Sequence, residues 1–169
     1  MSSDTASAKQ IAYPDLEAEL ANTRRVLERV PMEQAAWRPH EKSFPLGSLA
    51  THVARLSYWG TLTTQGDEFD LASTPIPSKP AASREELLAL FDETSAAFRQ
   101  ALAEVPDEAL SREWTLRMGD HVIFKLPKGT VLRTSVISHI IHHRAQLTVY
   151  LRMLNVPVPG LYGPSADEQ

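Results

Sequence analysis

Apolar residues recur at helical spacing in four stretches of the chain, with prolines at their edges. Over about residues 14–30, Leu16, Leu20, Thr23, Leu27 and Val30 line one stripe, with Pro14 in the opening turn and Pro31 past the end. Over 46–65, Leu49, His52, Leu56 and Trp59 share a face, with Ser43 placed to cap the helix and Pro45 to open it. Over 84–105, Leu87, Leu88, Phe91, Ser95, Phe98 and Leu102 form the stripe; Ser83 and Glu86 read as a capping box, and Pro106 stops the run. The fourth pattern covers 130–154, and Pro157 follows it. Four helices of this length predict an all-α four-helix bundle.

The connections differ in character. Residues 66–82 carry Pro75, Pro77 and Pro80 and read as a crossing loop. In "WTLRMGDHVIFKLP", Trp114, Leu116 and Met118 alternate with polar residues, Gly119-Asp120 signals a turn, and Val122-Ile123-Phe124 is strand-like. That pattern predicts a short hairpin inserted between helices three and four. Two long connections, 66–82 and 106–129, allow some neighbouring helices to run parallel. Residues 1–10, small and polar, are expected to be a disordered tail, and 11–169 a single domain. The last residues, "VPVPGLYGPSADEQ", are expected to run extended along the surface.

Composition narrows the chemistry. A chain of 169 residues, 43% hydrophobic, suits one packed core. The net charge is −4, the pI is about 5.9, and no basic run exceeds Arg24-Arg25. Nucleic acid is therefore not an expected partner. The chain has no cysteine, so a disulfide, a thiolate ligand and a cysteine nucleophile are all excluded. Any thiol chemistry needs a thiol brought in by a cosubstrate. "MSSDTASAKQ" lacks the apolar segment of a signal peptide, and no apolar run nears the roughly 20 residues of a membrane span. A soluble, cytoplasmic protein without a membrane partner is expected.

"SHIIHHRAQL", residues 138–147, holds three of the six histidines. At about 100° per residue, with His139 at zero, His143 falls near 40°, Leu132 and Tyr150 near 20°, and Val136 and Leu154 near 60°. His139 and His143 therefore sit one turn apart inside the apolar stripe. His52 occupies the same kind of position on the second helix. A lone histidine on an apolar face is ordinarily a core group bonded to a carbonyl. Three inward imidazoles without partners would be costly to bury, and one shared cation would satisfy them all. Three protein ligands leave an open position, the mark of a catalytic site. A zinc-protease pattern fails because Ile140 stands where Glu is needed. A di-iron pattern fails because no Glu has His three residues later.

The remaining candidates carry blander readings. His40 and His121 read as solvated surface residues. His142, at the margin of the site face, reads as a partly exposed neighbour or a group behind the ligands. Gln146 faces the site and can bond an imidazole or a substrate. Tyr58 and Trp59 read as core packing or as a pocket wall, and Tyr150 as core. Arg144 points away from the site and reads as a surface or intersubunit ion pair. No Asp or Glu stands on the site face of helix two or four, which weakens hydrolysis more than thiol transfer.

"LGSLATHVARL" together with "SHIIHHRAQLTVYLRMLNVPVPGLYGPSADE" resembles the DinB-like family, the damage-inducible metal-dependent proteins rather than the polymerase of that name. The likeness extends from "LEAELANTRRVLERV" to the C-terminal tail. It implies an up-up-down-down bundle, a homodimer, and a divalent metal ion, zinc or nickel, held by His52, His139 and His143. The family commonly has Gly where Ala145 stands here, which bears on close helix packing. Some such proteins transfer low-molecular-weight thiols of the bacillithiol or mycothiol type; others isomerise or hydrolyse small molecules. The resemblance thus implies a metal-dependent enzyme acting on a small-molecule substrate, S-transfer foremost. A metal-dependent hydrolase and a non-catalytic metal-binding stress-response protein are the alternatives.

Overall fold

A computed structural model describes Lys9 and residues 12–168. The tail expected over 1–10 lies, Lys9 apart, outside the described residues. Helix α1 spans Leu16–Leu27 and buries the expected Leu16, Leu20, Thr23 and Leu27. Glu17 and Glu19 in its first turn and Arg24 and Arg25 in its last suit the helix dipole.

Helix α2 spans Leu46–Gln65, as the pattern predicts, but Ser43 does not cap it. The preceding chain does that work with its backbone. The N–H groups of Leu46 and Gly47 donate to the carbonyls of Trp37 and Ala35 at 2.8 and 2.9 Å. Two of the four orphan donors of the first turn are thus satisfied without a side chain. Helix α3 spans Arg84–Glu104 and opens on the expected capping box. Ser83 Oγ accepts from the Glu86 N–H at 3.2 Å, and the Glu86 carboxylate accepts from the Ala82 N–H at 2.9 Å.

The all-α expectation is corrected: the described residues are mostly helical, in four long helical runs, with a small three-stranded sheet. The predicted hairpin is present as β2 (Glu113–Met118) and β3 (His121–Pro127), with Gly119 at φ 59° in its turn. The 66–82 connection, expected to be a loop, contributes β1 (Glu68–Asp70), which pairs parallel with β2. Three residues with one apolar side chain carry no period to read. What holds β1 is Asp70, whose carboxylate accepts from the Gly119 N–H at 2.9 Å and from the Arg117 guanidinium at 2.8 Å. Phe69, Trp114 and Val131 form a small core beneath the sheet.

The fourth helical run begins at Lys128. It passes from α4 (Lys128–Val131) through a π-helical segment, Leu132–Ile137, into α5 (Ser138–Met153). The main core joins all the long helices, with Leu20, Val53, Leu56, Phe98, Val136, Ile140 and Leu147 each nearly or fully buried.

Arg144 is not the surface or intersubunit residue expected. It is 1% exposed and pairs with Glu19 of α1 at 2.6 Å. Its guanidinium also donates to the Glu19 carbonyl, to Thr23 Oγ1 and to the Tyr162 hydroxyl, while that hydroxyl donates to the Glu19 carboxylate at 2.8 Å. The C-terminal tail therefore runs along the surface as expected, with Tyr162 as one anchor. Asp167, paired with Arg152 at 2.6 Å, is another.

Candidate metal centre

His52 is the seventh residue of α2, and His139 and His143 are the second and sixth of α5. Packing of the two helices through their apolar stripes brings the three half-buried imidazoles together. One ligating nitrogen from each lies within 4.8 Å of the others. The ring centroids of His52 stand 5.2 Å from His139 and 4.7 Å from His143.

The outward nitrogens of α5 are tied down. His139 Nδ1 lies 3.3 Å from the carbonyl of Ser135, inside the π-helical segment. His143 Nδ1 lies 2.7 Å from Gln146 Oε1. Carbonyl oxygens only accept, so each Nδ1 carries the proton and each Nε2 is left with its lone pair. Those two Nε2 atoms face each other at 2.8 Å. Two lone pairs at that distance repel unless a positive charge lies between them. Burial pushes the pKa of all three imidazoles down, and their neighbours add to it: His143 and His139 beside His52, His143 and His142 beside His139, His142 beside His143. His52 falls to about 4. A proton is thus a poor occupant near neutral pH, and a divalent cation suits the donors.

The other predicted residues divide. Gln146, exposed, stands behind His143 as described. His142 is exposed and sits outside the three-histidine group, its ring 4.8 Å from that of His143. Trp59 lines a cleft of about 370 Å³ that opens beside His52, whereas Tyr58 is not on its wall. Tyr150 is buried, with its ring edge-on to Trp37 and its hydroxyl donating to the Phe44 carbonyl at 3.2 Å. His40 and His121 are exposed.

Two residues escaped the sequence reading. Phe44 stacks on His52 with ring centroids 6.3 Å apart, and Arg55 lines the same cleft. Phe44 precedes α2 and so belongs to no helical period. Arg55 was legible as the residue three positions past His52. Ile76, Pro77 and Ser78 of the connection line it too, and among the described residues no carboxylate does. A larger hollow of about 440 Å³ between α1 and the end of α3 holds none of the histidines.

The family model of the DinB superfamily matches residues 15–147. The chain belongs to the DinB superfamily. It is similar to the uncharacterised protein YrdA of Bacillus subtilis strain 168, with 28% identity over 161 residues covering 90% of this chain and 86% of YrdA. Among solved structures it is similar to a DinB-like protein of Bacillus cereus ATCC 10987, with a TM-score of 0.65 and 24% identity over 89% of this chain and 95% of that one. The DinB-like protein YjoA of Bacillus subtilis gives a TM-score of 0.68 and 17% identity over 91% and 98%. At such identities the two structures establish the fold. This DinB chain carries a three-histidine group that could hold a metal ion. Among its described residues no helix is long and apolar enough to cross a membrane.

Proposed function

We propose that the chain is a divalent-metal-dependent enzyme that transfers a low-molecular-weight thiol to a small electrophile. The observation that carries the metal part is the pair of facing Nε2 lone pairs of His139 and His143, with His52 completing the set. His52, His139 and His143 would hold the ion, zinc or nickel by the family resemblance. Such an ion supplies positive charge that favours thiolate over thiol near neutral pH. Ser135 and Gln146 fix the rings, and Phe44 and Trp59 wall the approach. In the reaction the thiol loses its proton to solvent. Its sulfur forms a bond to carbon, and the leaving group departs with the electron pair of the bond that breaks.

The same cleft disfavours metal-dependent hydrolysis, because among the described residues no carboxylate on its wall is placed to take a proton from water. The lack of cysteine makes an external thiol the source of sulfur.

Elemental analysis of the purified protein beside its variants tests the reading. Near-stoichiometric divalent metal is expected in the wild type and in His121→Ala, and most of it lost in His52→Ala and in His139→Ala. Wild-type protein that takes up no zinc or nickel on incubation would sink the metal reading. Metal-loaded protein that consumes no thiol with any of a panel of electrophiles would leave a non-catalytic metal-binding protein instead.

A further inference from the structure

Arg55 is the one charged side chain on the wall of the cleft beside His52, and it has no acid partner among the described residues. The chain does not lack acids for its arginines: Arg24, Arg117, Arg133 and Arg144 each pair with Asp or Glu. Arg55 instead donates through Nη2 to the carbonyl of Lys79 at 3.0 Å. That bond steadies the guanidinium against the 66–82 connection and leaves the rest of its fork of donors open. Arg55 follows His52 by three residues, so their Cβ atoms lie about 5–6 Å apart on one face of α2.

A guanidinium without a counter-charge among the described residues, beside a site suited to a cation, makes the cleft a field for anions. A planar fork of donors suits a carboxylate in particular. The rest of the lining mixes apolar and aromatic residues, Phe44, Leu56, Trp59, Ile76 and Pro77, with the hydroxyl-bearing Ser48, Thr51 and Ser78. Such a lining suits a compact ligand that carries a donor atom, a carboxylate and a short carbon segment.

We propose that Arg55 recognises a carboxylate on the small molecule bound at the histidine site, so that the substrate or cosubstrate class is a carboxylate-bearing small molecule. The donor-atom half of this assignment rests on the metal reading above; the carboxylate half rests on the cleft alone.

The test uses cobalt(II)-loaded protein titrated with three thiols of matched size: 3-mercaptopropionate, 2-mercaptoethanol and cysteamine. Sulfur-to-cobalt charge-transfer absorption reports binding. The carboxylate thiol is expected to bind about tenfold tighter than the neutral one, with the cationic one weakest. Arg55→Gln is expected to erase that preference while leaving cobalt content and mercaptoethanol affinity unchanged. A preference that survives in Arg55→Gln, or is missing in the wild type, overturns the proposal. If the wild type takes up no cobalt, the metal reading falls, and Arg55 is judged on the metal-free protein. Calorimetric binding of 3-phenylpropionate that is lost in Arg55→Gln supports the carboxylate assignment. Binding that is absent, or unchanged by the substitution, overturns it.

Discussion

Gln146 Oε1 stands 2.7 Å from His143 Nδ1, one turn further along α5. A surface glutamine thereby sets the tautomer of a buried-side imidazole. With the oxygen accepting from Nδ1, the Nε2 lone pair is left for the His52 and His139 side of the ring. Gln146→Leu is predicted to weaken metal binding about 10–100-fold, the usual cost of losing such a partner. Gln146→Glu, which keeps an acceptor, is expected to retain most of the affinity. Competition with a chelator of known affinity measures both, and helical circular dichroism should be unchanged because the side chain is exposed. Equal affinities in all three proteins would mean that the ring is oriented by packing alone.

Acidification should act on the metal-free protein in two separate windows. His52 titrates at about 4 in the fold and near the ordinary 6.5 when unfolded. Between those values the unfolded chain binds a proton that the folded chain does not, so stability falls as pH drops from 6.5 toward 4. His139 and His143 are lowered as well and act in the same direction. Below about pH 4 a second loss begins. There Asp15 and Asp70, held low by Arg133 and by the backbone N–H groups of Gly119 and Ala72 respectively, give up the stability they contribute at higher pH. Urea midpoints across pH 3–8 should therefore slope in both windows. His52→Gln should make the upper slope shallower, leaving the share of His139 and His143, and keep the lower one in place. An upper slope unchanged in that variant would assign it elsewhere.

Gly60 of α2 packs directly against Phe98 of α3. A Cβ built there would lie 2.4 Å from the ring of Phe98, which is fully buried and has no room to move aside. Gly60→Ala is predicted to destabilise by about 1–3 kcal/mol through overpacking, despite the better helix propensity of alanine. Phe98→Leu in the same chain should recover part of that loss by clearing the ring. Chemical denaturation of the single and double variants decides it, and a stabilised single variant would show that the helices can part without cost.

The histidine site was legible because it rests on a single local rule. Residues one turn apart on an apolar stripe meet, as His139 and His143 do, while His52 stands on the apolar stripe of α2 that packs against them. The helix ends were legible where a side chain marks them, as Ser83 and Glu86 do for α3. They were not where backbone alone does the capping, as Trp37 and Ala35 do for α2. β1 was invisible because its stability comes from Asp70 reaching Gly119 and Arg117, residues almost fifty positions away. The π-helical turn at Leu132–Ile137 leaves no mark on composition, yet it holds the carbonyl that orients His139. Arg144 misled for a related reason. A charge off the apolar stripe reads as solvent-facing until the partner that buries it is known.

That partner is Glu19 of α1. Arg144 is 1% exposed and Glu19 6%, and the pair ties α5 to α1 immediately beside His143. Arg144→Met removes the cation and leaves the Glu19 carboxylate buried with only the Tyr162 hydroxyl as a side-chain donor. The expected cost is about 3–5 kcal/mol, most of it the stranded charge rather than the lost attraction. Replacing both partners, Glu19→Leu with Arg144→Met, removes the stranded charge and is predicted to recover most of that loss. Thermal denaturation separates the cases: a large fall in Tm for the single variant and a small one for the double. If the double variant is as unstable as the single, the pair contributes through its attraction and its contacts with Thr23 and Tyr162. Chelator competition on the folded double variant then asks about the site. Metal affinity close to the wild type would assign the pair to holding the two helices, and a fall of tenfold or more would assign it to aiming His143.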